Sequence, residues 1–119
     1  MGFFNKIIKN TASGTDGNSY LKISVTNNGA EYTLLPEGRL DTITSPGLES
    51  KIKEVVDDAK KLVFDFSGLE YISSAGLRVL LGTLQIMEEK NGEMVICNLT
   101  ESVRVVFELT GFARLFDIE

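Results

Sequence analysis

The chain has 119 residues, enough for one domain and too few for two of ordinary size. Seventeen acidic residues against twelve basic ones give a formal charge of −5, which argues against a nucleic-acid backbone as partner. Histidine is absent, which excludes histidine-based hydrolysis, and the single cysteine, Cys97, cannot close an internal disulfide. No apolar run reaches membrane-spanning length and no signal-like start is visible, so the expectation is one soluble cytoplasmic domain.

Residues 1–19 read as an extension ahead of a domain at 20–119. Phe3, Phe4, Ile7 and Ile8 fit one face of a short amphipathic helix that could dock on the domain, on a second copy or on a membrane surface. The Gly/Ser/Thr/Asn-rich run from Asn10 to Ser19 reads as a flexible linker. Lys6 breaks the myristoylation pattern.

Leu21, Ile23 and Val25 alternate with polar neighbours, as on a half-buried strand; Asn27-Asn28-Gly29 supplies a turn, and Tyr32 to Leu35 returns as a second strand. Ser45 followed by Pro46 predicts a helix start. Leu48, Ile52, Val55, Val56 and Ala59 then form one apolar stripe. Leu62 to Phe66 reads as a buried central strand.

Leu77, Leu80, Leu81 and Leu84 predict a second helix that runs to Lys90 and stops at Asn91-Gly92. Met94 to Asn98 is another buried strand. Thr100 caps a third helix with Val103, Val106, Phe107 and Thr110 on one face, ended by Gly111, and Phe112 to Ile118 is a last edge strand or packed tail. The order gives an α/β domain: a mixed, mostly parallel sheet of four to five strands flanked by three or more helices. In such sheets ligands and partners meet the carboxyl ends of the strands, which singles out Gly38 to Ser45 and Leu69 to Gly76.

The second of these segments reads Leu69-Glu70-Tyr71-Ile72-Ser73-Ser74-Ala75-Gly76-Leu77-Arg78. The plain role for its hydroxyls is structural, with Ser73 as cap and Ser74 in the first turn. The functional alternative is covalent: a first-turn hydroxyl can carry phosphate, because free N–H groups and the positive dipole end favour an anion there. Asp65 and Glu70 lie nearby in sequence and could add repulsion toward a partner.

Tyr71-Ile72-Ser73-Ser74-Ala75-Gly76-Leu77 resembles the hallmark segment of the STAS domain of bacterial anti-sigma-factor antagonists. Glu37-Gly38-Arg39-Leu40-Asp41 resembles that family's loop before the first helix, and Leu109-Thr110-Gly111-Phe112 its turn after the third. The resemblance spans Tyr20 to Ile118. It implies a single STAS domain that binds an anti-sigma factor which is also an ATP-using serine kinase, that loses this binding when phosphorylated on Ser74, and that is restored by a serine phosphatase. A homodimer is a further partner to consider, and a membrane is not an expected one.

Carried onto this chain, the contacts fall on Gly38, Arg39, Asp41, Ser73, Ser74, Gly76 and Arg78. Ser73 stands where many members carry Asp, which makes it the second choice of acceptor, and the family's usual final helix has no counterpart before Glu119. A competing class keeps the fold as a non-catalytic scaffold or regulatory subunit of a sensory, transporter or lipid-transport complex. An enzyme is not expected: a serine nucleophile needs an adjacent base, P-loop spacing is missing, and no cofactor or metal site is suggested.

Overall fold

The computed structural model describes residues 8–13 in their backbone and residues 20–119 in full. The chain runs β1 (Ile8–Ser13), β2 (Tyr20–Asn28), β3 (Glu31–Leu40), α1 (Ser45–Val55), β4 (Lys61–Asp65), β5 (Leu69–Ile72), α2 (Ser74–Glu89), β6 (Glu93–Cys97), α3 (Glu101–Thr110) and β7 (Asp117–Ile118). A 3-10 turn at Phe112–Arg114 links α3 to β7. The sheet order is β1-β2-β3-β4-β6-β7, with β5 paired to β3 off this path. β1, β2 and β3 are antiparallel neighbours; β3, β4, β6 and β7 run parallel.

Each crossover from β3 onward advances the sheet in one direction, and right-handed crossovers therefore lay all three helices on a single face. Burial identifies that face. Leu21, Ile23, Leu34, Leu62, Phe64 and Ile96 of the strands form one core with Leu48 of α1, Leu77 and Leu80 of α2, and Val103 and Phe107 of α3. The alternate strand positions, such as Lys22, Thr33, Val63 and Cys97, stay at least partly exposed, as period-two geometry requires.

The sheet departs from expectation at three places, with two added strands and one longer strand. Ile8–Ser13, expected to divide between a helix and a flexible linker, form strand β1, registered from Ile8 opposite Val25 to Ser13 opposite Tyr20. Thr11 and Ser13 are compatible with a ladder as much as with a linker, because pairing is supplied by the edge of β2. Phe3, Phe4 and Ile7 lie outside the described residues. Leu69–Ile72, expected as loop, is strand β5, and the returning strand extends to Leu40 instead of ending at Leu35.

Pro36 hid that extension. It sits opposite Ile23 of β2, while on the other side of β3 the β4 ladder has ended at Leu34 and the β5 ladder starts at Gly38. A proline is tolerated where one flank of a strand has no ladder partner. The hairpin between β2 and β3 closes through Gly29, at φ 64°, and Asn27 Nδ2 donates to the Gly29 carbonyl at 3.2 Å.

Helix ends match the expected punctuation closely. α1 has Thr44 at its N-cap position, one residue before the expected Ser45, with no side-chain cap hydrogen bond, and Pro46 lies in its first turn. Asn91 takes the left-handed conformation after α2, and Gly111, at φ 80°, ends α3. Lys90 Nζ reaches from the end of α2 to the Val56 and Asp57 carbonyls, which satisfies the open end of α1.

Phe64 is fully buried in the central strand and meets Phe66 edge to face at 6.0 Å between ring centroids. Phe64→Ala should lower the free energy of unfolding by about 3–5 kcal/mol, measured by urea denaturation.

Candidate functional site

The carboxyl ends of β3 and β5 lie side by side, and each feeds a helix. A register shift sets them: Gly38 pairs with Leu69, but Arg39 pairs with Tyr71 and Leu40 with Ile72. The Ser73 amide then donates to the Leu40 carbonyl at 2.9 Å. The start of α2 is thereby fixed to the end of β3, beside the turn that leads into α1.

That turn, Asp41 to Thr44, is built by side chains. Asp41 Oδ1 accepts from the Ile43 and Thr44 amides at 3.0 and 3.1 Å, and Thr44 Oγ1 accepts from the Asp41 amide at 3.0 Å and donates to the Arg39 carbonyl at 2.7 Å. The polar groups are spent within the turn, which leaves Ile43 pointing out, 49% exposed. Asp41 is thus a positioning residue for the turn.

Gly76 explains how α2 comes so close. A Cβ there would stand 2.7 Å from Leu40 Cγ and 2.9 Å from Ile72 Cγ1, well inside contact distance. Gly38 plays the same part on β3: its φ is 116°, and a Cβ would lie 2.5 Å from the Tyr20 carbonyl oxygen. Both glycines, expected among the partner contacts, are buried. What they provide is the shape of the rim.

The two serines are separated by this packing. Ser73 is the N-cap residue of α2 with extended backbone, yet its hydroxyl makes no cap hydrogen bond and is buried without a partner. Ser74, the next residue, is exposed in the first turn. The first amides of α2 have no intrahelical acceptor. With Ser73 not capping, they and the positive end of the helix are available to an anion on Ser74.

Around Ser74 the rim is mixed. The Arg39 guanidinium stacks over the Tyr71 ring at 4.3 Å from its centroid, and Tyr71 is itself 38% exposed. Arg78, exposed, lies one turn along α2 from Ser74. α3 braces the same rim from behind: Thr100 Oγ1 donates to the Leu69 carbonyl at 2.7 Å and Ser102 Oγ to the Glu70 carbonyl at 2.8 Å. Arg39, Asp41, Ser73, Ser74 and Arg78 are therefore brought to one region. The Arg39–Tyr71 stack was missed in sequence, because it depends on a register that only β5 creates.

Asp65 is drawn elsewhere. Its carboxylate accepts from the Ser67 amide at 3.0 Å and from Asn98 Nδ2 at 3.1 Å, which holds Asn98 in the left-handed conformation at φ 59°. Burial alone would raise its pKa, but these hydrogen bonds together hold it below the usual carboxylate range. Burial, and then the charges of Asp65 and Glu119, push the Cys97 thiol up, away from reactive thiolate.

This arrangement, a βα rim with an exposed hydroxyl at a helix start, defines a small α/β domain with helices on one face of a mixed sheet. The profile of the STAS domain family matches residues 22–119, and the chain belongs to that family. BtrV of Bordetella bronchiseptica, which carries the name of an anti-sigma factor antagonist, is 37% identical over 83 residues, 69% of this chain and 72% of its own. A crystal structure of an anti-sigma factor antagonist from Mycobacterium paratuberculosis superposes with a TM-score of 0.75 at 27% identity, covering 89% of this chain and 88% of that one. Bacillus SpoIIAA in its phosphorylated form has a TM-score of 0.65 at 18% identity, covering 82% of this chain and 90% of its own, a likeness of fold.

Gly76→Val should lower stability by about 1–3 kcal/mol through overpacking against Leu40 and Ile72, read by chemical denaturation. For Asp65 the folded-state pKa is depressed, so its stabilisation is present above the unfolded value and is lost as pH falls through the folded one. Asp65→Asn should accordingly be less stable than wild type at neutral pH. The gap should close in acid below about pH 4, measured by melting across a pH series.

Proposed function

We propose that the chain is an anti-sigma-factor antagonist which, unphosphorylated, binds an anti-sigma factor that is also a serine kinase, and is released when Ser74 is phosphorylated. Binding frees the sigma factor, and a serine phosphatase resets the cycle in the cytoplasm. The observation that carries this reading is the contrast between neighbours: Ser74 is exposed at the start of α2, whereas the hydroxyl of Ser73 is sealed in. A kinase can reach the first and not the second.

The chemistry of the switch follows from placement. Phosphate on Ser74 adds a charge of about −2 at the positive end of α2, where the fold tolerates it. The rim also carries the exposed Ile43 and Tyr71, so an apolar or acidic partner surface docking there would be pushed off by desolvation and repulsion. The names of the relatives support antagonism of an anti-sigma factor, and the phosphorylated Bacillus relative of like fold supports a covalent switch.

The test is intact-mass and site mapping after incubation with ATP and each purified anti-sigma factor kinase of the source bacterium, with binding measured in parallel. Ser74→Ala should bind and gain no phosphoryl group, and Ser74→Asp should lose binding by about a hundredfold or more. Ser73→Ala should be labelled like the wild type. Labelling blocked by Ser73→Ala and not by Ser74→Ala would overturn the assignment.

A further inference from the structure

A groove of about 110 Å³ opens between α1 and α2. Ile52 of α1 and Val56 just past its end form its buried floor, and Val79, Gly82 and Ile86 of α2 its other wall. Ile86 is 45% exposed. An apolar side chain on an outer wall, facing a cleft, leaves the groove unfilled from within.

Gly82 is the informative residue. Glycine is the poorest helix former short of proline, and this one sits in the middle of a 16-residue helix. Its backbone does not need it, because its φ is not positive. Internal packing does not need it either: a Cβ at Gly82 would meet nothing within 4 Å, whereas one at Gly76 would collide with Leu40. The absence of a side chain at Gly82 leaves the groove wall open at this point.

The groove also joins the switch. Arg78 lines it and lies one turn from Ser74. Lys53 lines it from α1, and neither cation has an ion pair among the described residues, where the one ion pair is Lys51–Glu54. Glu49 is the sole acidic side chain in the lining.

We propose that this groove is the second half of the partner-binding surface, and that it receives an apolar ridge of one helix of the anti-sigma-factor kinase, flanked by an acidic side chain that meets Lys53 and Arg78. The proposal rests on the antagonist reading above and extends it from the rim to the helical face. Phosphate on Ser74 then acts at one end of a longer interface, next to Arg78.

The experiment compares wild type, Gly82→Ala, Gly82→Leu, Ile86→Glu, Lys53→Glu and Ser74→Asp for binding to each purified anti-sigma factor kinase of the source bacterium, by calorimetry, with thermal melting and sedimentation of the chain alone. Gly82→Ala and Gly82→Leu should melt at or above the wild-type temperature, since both are better helix formers with room for a Cβ. Gly82→Ala should bind within about threefold of wild type, Gly82→Leu and Ile86→Glu about tenfold or more weaker, and Lys53→Glu about three- to tenfold weaker.

Wild-type affinity in Gly82→Leu, with Ser74→Asp still failing to bind, would overturn the groove and leave the switch standing. If Gly82→Leu melts lower, Ile86→Glu decides by the same criterion. Lys53→Glu binding as tightly as wild type or tighter would overturn the acidic partner. A change in sedimentation of Gly82→Leu alone would assign the groove to a second copy and overturn the kinase helix. Wild-type affinity in Ser74→Asp, or no binding by any kinase, would overturn the antagonist reading itself and the groove with it.

Discussion

The site depends on one close approach, that of the first turn of α2 to the end of β3. Gly76 lies against Leu40 and Ile72 at distances no side chain would permit, and the Ser73 amide is hydrogen-bonded to the Leu40 carbonyl. Because packed interiors do not give way easily, the two contacts fix where the helix begins to within a fraction of an ångström. Everything on the rim inherits that position. The Asp41 turn lies beside α2, Ser73 is pressed inward, and Ser74 is turned out.

The same contact separates stability from function. Residues that hold α2 down are buried and apolar or have no side chain: Leu40, Ile72, Gly76, Leu77 and Leu80. Residues on the outside of the rim are polar or amphipathic and contribute little to the core: Arg39, Tyr71, Ser74 and Arg78. A charge placed at Ser74 therefore stands at the solvent-exposed rim and not in the interior. The proposed switch requires that separation, and a helix N-terminus is compatible with it because it favours an anion.

The helices and central strands were legible because periodicity and punctuation agreed. Ser45-Pro46, Thr100 and Gly111 marked helix ends, and Leu62 to Phe66 and Met94 to Asn98 were apolar runs of strand length. What escaped the sequence were the elements with weak local signals and non-local causes. β5 is four residues whose pairing depends on β3 continuing past Pro36, and the proline reads as a breaker until the gap in the neighbouring ladder is known. β1 is polar and pairs only because an edge of β2 is free to accept it. The exposed Ser74 was legible from its place in the motif. The sealing of Ser73 was not, since a serine before a helix ordinarily caps it.

None of the three α-helices among the described residues has a side-chain cap, but Thr44 and Thr100 spend their hydroxyls on the Arg39 and Leu69 carbonyls, and Ser73 alone among these N-cap residues leaves its hydroxyl without a partner. An N-cap serine normally uses its oxygen on the second or third amide of the helix, which stabilises the helix and occupies the donors. Here the hydroxyl is buried without a hydrogen bond, at a cost of the order of 1–3 kcal/mol for an unsatisfied polar group. The helix forgoes its own cap, and its amides stay open beside an exposed hydroxyl. The geometry of the rim accounts for this: the close approach of Gly76 to Leu40 and Ile72 presses Ser73 inward, and the position of the helix start is set by that packing and by the Ser73 amide on the Leu40 carbonyl, with no contribution from a side-chain cap.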